Sequence, residues 1–258
     1  MDIDWRTQAE EFLSVLAWGV DVFMFPSLGK VFGPYASPGD RQRLRRQLRQ
    51  LEQRGLVVRE ERAGRLLYQL TQRGRLVAMG NRNPDARWER PWDGKWRQVL
   101  FDLPVDQQPM RQKLLRWLRQ NGFGYLQDSV WISPDPMDAV RDVLKPFRDD
   151  VEFFIVMEAT VCAGYANRAL VSGAWDFEEV NRRYRQYMEL VADQSNREAL
   201  ARLPIWLRDE RAAWIHAVSI DPMLPATLLP RDYRGREAWR IRRARLRGLL
   251  RPLAKSTR

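Results

Sequence analysis

Arginine crowds one short stretch of this chain. Between positions 41 and 49 stand Arg41, Arg43, Arg45, Arg46 and Arg49, with Gln42 and Gln47 among them. A guanidinium presents five donors in a planar fork that matches phosphate oxygens and the O6 and N7 edge of guanine, and a glutamine amide can pair with adenine. This residue set suits recognition of duplex DNA. Arg62 and Arg65 follow on a β-rich run, placed to reach phosphate or the minor groove. Residues that could make or break bonds are sparse. His216 is the only histidine and Cys162 the only cysteine, so an intramolecular disulfide, a cysteine zinc site and a His-rich metal site all lack a second member. His216 is expected to pack through hydrogen bonds or to contact an effector, and Cys162, in ATVCAGY, to be a buried inert thiol. No phosphate-cradling glycine loop is present. The expectation is a chain that is not an enzyme, with no catalytic residue, no metal ligand and no resident cofactor.

The elements that must position the arginines follow from periodicity and from where the charge sits. The 258 residues carry 44 Lys and Arg against 33 Asp and Glu, a net +11. Residues 1–40 hold 2 basic and 6 acidic side chains, 41–75 hold 11 and 3, 76–230 hold 20 and 22, and 231–258 hold 11 and 2. The excess is therefore confined to two segments, which is the footprint of a polyanion partner. With 45% apolar residues, the chain has enough material for buried cores. The acidic start and the lack of a long apolar run predict neither a signal peptide nor a membrane span, and a cytoplasmic location.

Phe12, Val15, Leu16, Val20 and Phe23 predict a first helix over 8–23, and FPSLGKVFG at 25–33 a short second one. Ser37-Pro38-Gly39-Asp40 opens a third, whose narrow stripe of Leu44, Leu48 and Leu51 packs while the arginines occupy other faces until Gly55 stops it. Two β-rich runs, 56–61 and 65–71, surround the turn RAG, and a short helix follows at 72–80. This is the order of a winged helix-turn-helix, with the basic third helix for the major groove and the hairpin as wing. Residues 81–93 read as a linker. Beyond it, a strand at 96–102, a helix at 108–121, a strand at 125–132, a helix at 136–147 and a strand at 151–157 give βαβαβ, a ferredoxin-like α+β unit. Trp96, Trp117 and Trp131 fall on its core positions. For the last helix, 236–254, three partners stay open for the arginine face: solvent, flanking DNA, or an acidic protein or membrane surface.

The runs WDGKWRQVLFDLP at 92–104 and LRQNGFGYLQDSVWISP at 118–134 resemble the central domain of the PaaX family, repressors of bacterial phenylacetate catabolism. LVSGAWDFEEVNRRYRQYMELV at 170–191 and IHAVSIDPMLPATLLPRDYRGREA at 215–238 resemble its downstream segments, and the basic helix with its YQLT wing matches in order. The resemblance implies an α+β chain in three parts. A winged-helix DNA-binding domain spans 1–82. A ferredoxin-like central domain, similar to a small CRISPR-associated nuclease and carrying dimerisation, spans 92–160. A mainly helical C-terminal domain with the effector site spans 165–258. It further implies a homodimeric repressor bound to a double-stranded operator and released by an acyl-CoA such as phenylacetyl-CoA. Arg45 corresponds to the family's recognition-helix arginine and His216 to the histidine before its DPxLP-like stretch; His216, Trp214 and Arg231 are the candidate effector contacts. Gln47 and Gln50 stand where the family carries a small residue and an arginine, which implies a different operator. In the related nucleases an aspartate at the end of the first strand binds a metal between subunits, so Asp102 makes a metal-dependent nuclease the alternative; a non-DNA interaction scaffold is the other.

Overall fold

The computed structural model of the chain describes residues 23–24, 38–62, 65–74, 83–103, 107–127, 129–147, 153–164, 166–192 and 203–255. The expected helix over 8–22, the second helix at 25–33, the turn at 63–64 and residues 75–80 lie outside the described residues. Two compact units emerge: one takes Pro84–Tyr184 with His216–Gly235, the other the segment up to Asn83 with Arg185–Ile215 and Arg236–Arg258.

In the second of these units, helix α1 (Pro38–Gln53) precedes strands β2 (Val57–Arg62) and β3 (Arg65–Leu70), an antiparallel hairpin whose register closes on Arg62 opposite Arg65. Phe23–Met24 form a short strand, β1, on the far edge of β3, so that Phe23 faces Tyr68. Phe23 is thus not the last residue of a helical stripe. Pro26 close by disfavours helix, and the open edge of β3 supplies backbone partners.

The end of α1 is built from three residues that the sequence spaces at 55, 71 and 74. Gly55 has φ +66°. Its N–H donates to Glu52 O at 2.9 Å and that of Leu56 to Leu51 O at 2.9 Å, the two bonds of a Schellman cap, with Leu51 and Leu56 both buried. Thr71 Oγ1 donates to Gly55 O at 2.7 Å and accepts from Gly74 N at 2.9 Å, so one hydroxyl ties the helix end to the end of the hairpin and caps the helical turn that follows. A Cβ on Gly74 would lie 1.9 Å from Leu56 O.

In the other unit, the region expected to be a linker holds helix α2 (Pro84–Glu89). Trp88 is buried and its Nε1 donates to Tyr233 Oη at 3.1 Å, while Arg87 and Arg90 reach Asp135 at 3.2 and 2.7 Å. A six-residue helix held by one aromatic ring and two cations leaves no apolar period to detect. Next come β4 (Trp96–Asp102), α3 (Gln108–Gln120), β5 (Gly124–Gln127), β6 (Val130–Ser133), α4 (Met137–Leu144) and β7 (Phe153–Ala159). The strand expected over 125–132 is in fact two, which pair antiparallel with an irregularity between Tyr125 and Gln127. The order is therefore βαββαβ, and the antiparallel sheet runs β5-β6-β4-β7, the ferredoxin-like arrangement. Val99, Phe101 and Trp131 on one face of the sheet pack against Leu114, Leu118, Val140 and Leu144 of the helices. The opposite face carries Trp96, set against Trp92 and Trp175 with its Nε1 donating to Asn167 Oδ1 at 2.7 Å.

Helices α5 (Asn167–Ala174), α6 (Phe177–Ala192), α7 (Leu203–Val218) and α8 (Gly235–Lys255) complete the described chain. Where α6, α7 and α8 lie in the unit with α1, Trp214 sits between Tyr187 and Trp239 at 5.2 and 5.3 Å, and the fully buried Arg242 pairs with the equally buried Glu210 at 2.7 Å. Tyr187 Oη donates to the same carboxylate, and burial, followed by that charge, pushes its pKa well up. Cys162, expected to be buried, is exposed in the loop after β7, since small neighbours and Gly164 make a turn there.

Gly74→Ala is expected to destabilise the protein by about 3 kcal/mol, since the methyl meets a backbone carbonyl that cannot step aside. Urea unfolding followed by circular dichroism measures it; a midpoint unchanged from the parent would contradict the close approach at Leu56.

Candidate nucleic-acid interface and ligand groove

On α1, Leu48 and Leu51 are fully buried, whereas Arg45, Arg46, Arg49 and Gln50 are exposed. One stripe packs and the cations point out, as the three-to-four spacing of the leucines requires. Arg41, Gln42 and Gln47 lie on the same helix, and Arg62 and Arg65 face one another across the end of the hairpin; the side chains of these five lie outside the described residues. Tyr68 of β3 is buried, which raises its pKa against the pull of Arg59, Arg49 and Arg45. Helix and hairpin thus present their cations from a fixed base.

A groove of about 630 Å³ opens in the unit built on the ferredoxin-like sheet. Its floor is Tyr125 and Trp131 of the sheet, its sides Arg116 and Arg119 of α3, Trp175 before α6, and Ile220 and Pro222 after α7. Two glycines make it. Gly122 has φ +83°, and a Cβ there would lie 3.2 Å from Pro222 O; one on Gly124 would lie 2.6 Å from the Trp175 ring. The GFG run therefore lets Trp175 and the 219–222 segment close on the sheet, and Trp175 Nε1 donates to Gly122 O at 3.3 Å.

The cations are positioned in different ways. Arg119 lies 5.6 Å from the Trp131 ring centroid, a cation–π contact. Arg183 donates from Nε to Glu179 at 2.8 Å and from a terminal nitrogen to His216 O at 3.2 Å and Ser219 Oγ at 3.1 Å. Hydrogen bonds from Arg182 and Arg183 hold the Glu179 carboxyl down to about 2. Trp131 is wholly buried, and its Nε1 has no hydrogen-bond partner among the described residues. An apolar trough with arginines along its rim can hold an anion with a flat or apolar body.

The segment that closes this groove is fixed by Asp221. Its buried carboxylate accepts from the hydroxyls of Tyr184 and Tyr233, each at 2.5 Å, and from Met223 N at 2.8 Å. Met223 has φ +48°, and its carbonyl accepts from Arg90 at 2.5 Å. Of the three candidate effector residues, Trp214 is buried in its aromatic stack, and His216 and Arg231 are exposed. The His216 carbonyl accepts from Arg183, one of the residues that line the groove. Asp102 is exposed at the end of β4, and among the described residues no three His, Cys, Asp or Glu converge.

Residues 89–171 match the PaaX protein central Cas2-like domain, and residues 175–256 match the PaaX-like protein C-terminal domain. The chain belongs to the PaaX family. The first PaaX match takes in the sheet from β4 to β7, the second α6 to α8. A solved structure of the uncharacterized protein Rv0674 from Mycobacterium tuberculosis is similar over 95% of this chain and 94% of its own, with a TM-score of 0.57 and 24% identity, which is a likeness of fold. No curated protein matches. Among the described residues, no helix of this PaaX chain is long and apolar enough to cross a membrane.

Because the folded-state pKa of Glu179 lies below its ordinary 4.5, its contribution to stability is present above pH 4.5 and is lost as pH falls toward 2. The urea midpoint of the parent is expected to drop more steeply over that interval than that of Glu179→Gln. Parallel pH profiles would show the Arg183 clasp to be absent in solution.

Proposed function

We propose that this PaaX-family chain is a DNA-binding transcriptional repressor whose N-terminal segment is a winged helix-turn-helix. Two copies, joined through the central domain, present their basic helices to separated half-sites. The observation that carries this reading is α1: a helix with two fully buried leucines and Arg45, Arg46 and Arg49 turned outward, followed at once by a hairpin. Arg41, Gln42, Arg45, Arg46, Gln47 and Arg49 are the residues assigned to the groove of DNA, and Arg62 and Arg65 to its flank. Family membership supports a regulator.

The inducer is proposed to be an acyl-CoA, and the groove on the ferredoxin-like sheet is its site. Arg116, Arg119 and Arg183 suit its phosphates, and Tyr125, Trp131 and Trp175 suit an apolar or aryl acyl group. Release requires that the ligand prefer the conformation unable to bind DNA. A hundredfold loss of operator affinity needs about 2.7 kcal/mol of differential binding, and a ligand with equal affinity for both conformations would release nothing.

Selection of genomic fragments by the purified protein is expected to recover one or a few duplexes bound without cleavage. Arg45→Ala with Arg49→Ala should weaken that binding by about 2 kcal/mol or more. Retention of no duplex at ~150 mM salt would refute the repressor. A panel of acyl-CoA esters, read by tryptophan fluorescence and by operator release, locates the inducer. Arg119→Ala should weaken the active ester, and a titration curve that this substitution leaves in place would move the ligand elsewhere.

A further inference from the structure

The last helix carries a second cationic surface, distinct from α1. In α8 the buried residues Ala238, Trp239, Arg242, Leu246 and Leu249 form one side. Arg236, Arg240 and Arg247 are exposed, and Arg243 is half-buried. At 3.6 residues per turn, these four arginines fall within an arc of about 60° and form a row about 16 Å long. Like charges at i and i+4 weaken a helix, and only one acid, Glu237, lies between positions 236 and 255. Among the described residues, Arg236, Arg240 and Arg247 take part in no ion pair. The arginine turned inward, Arg242, pairs with the Glu210 carboxylate at 2.7 Å. A row of guanidiniums at i and i+4 spacing with one acid in the helix, kept against helix stability, suits a row of fixed negative charge.

We propose that this row contacts the sugar-phosphate backbone of the same duplex that α1 reads. The inference rests on the DNA-binding reading above. α8 from Arg236 onward belongs to the same compact unit as the segment carrying α1, so both can address one ligand as a single body. The row is as long as about five nucleotides of one strand, measured along the duplex axis. It bears no glutamine or asparagine to read bases, and the other side of α8 keeps its apolar residues buried in the protein rather than free to enter a bilayer. As a backbone contact it adds affinity to operator and non-operator DNA alike and leaves specificity to α1.

The test uses the full-length protein and a fluorescent 40-base-pair duplex of mixed sequence, with binding measured by anisotropy from about 50 to 300 mM KCl. Each phosphate contact adds about −0.9 to the slope of log K against log salt. Arg236→Gln, Arg240→Gln and Arg247→Gln together are expected to make the slope less negative by about 2 to 3 and to weaken binding about tenfold or more. The corresponding triple lysine variant should restore both, because charge and not fork geometry is at work. Circular dichroism and urea unfolding confirm that the helix persists in each variant. A glutamine variant that is folded and keeps the parent's slope would overturn the inference while leaving the repressor reading intact. A parent protein that binds no duplex at any salt would remove both. Binding of the parent, but not of the glutamine variant, to phosphatidylserine vesicles under conditions where DNA affinity is unchanged would assign the row to a membrane surface and overturn the inference.

Discussion

One buried carboxylate organises the face of the molecule that could take a ligand. Asp221 has two tyrosine hydroxyls and a backbone N–H directed at it, so its charge is dispersed over three hydrogen bonds in a place that water does not reach. The consequence is mechanical. Ser219 to Met223 cannot relax into an ordinary loop, Met223 is forced to a positive φ, and Pro222 is brought against Gly122. Remove the carboxylate, and the groove wall, the Arg183 clasp and the docking of α2 through Arg90 all lose a common anchor.

Arginine has two distinct uses in this chain. Arg90, Arg97 and Arg242 are largely buried, and each is matched by carboxylates: Asp135, the pair Asp93 and Glu158, and Glu210. The buried pairs fix geometry rather than add much net stability, because desolvation offsets their attraction. The WDGKWR run is such a device, with Asp93 gripping Arg97 from a turn whose Gly94 has φ +81° and Glu158 from the neighbouring strand β7. The other use is at the surface, where Arg46 and Arg49 of α1 and Arg236, Arg240 and Arg247 of α8 are exposed; these are the positions at which the proposed duplex would bring its own negative groups.

Much of this was legible before any coordinates. Strand β4 and helix α3 fall where their alternation and three-to-four spacing put them, because each buries one face against a single layer. Gly55 was legible as the stop of the basic helix, although the Thr71 hydroxyl that joins that helix end to the turn at Gly74 was not. Three features escaped. β5 and β6 read as one strand because both are short and apolar, and the turn between them has no Asn-Gly or Gly-Gly marker. Helix α2 read as linker because its burial rests on Trp88 alone. The groove was missed because its walls come from four stretches far apart in sequence. Trp214 is part of a buried aromatic stack, and His216 meets Arg183 through its backbone carbonyl, a contact that residue type does not encode. Glycine 124, flanked by aromatic residues, was the one available hint that two layers meet closely there.

The exposure of Cys162 has a practical side. With a single thiol in the whole chain, exposed in the loop after β7, a maleimide probe would attach at one known point on every molecule. Two copies brought together on a duplex would then carry two dyes whose separation can be followed by energy transfer, turning the geometry of an assembled complex into an optical distance.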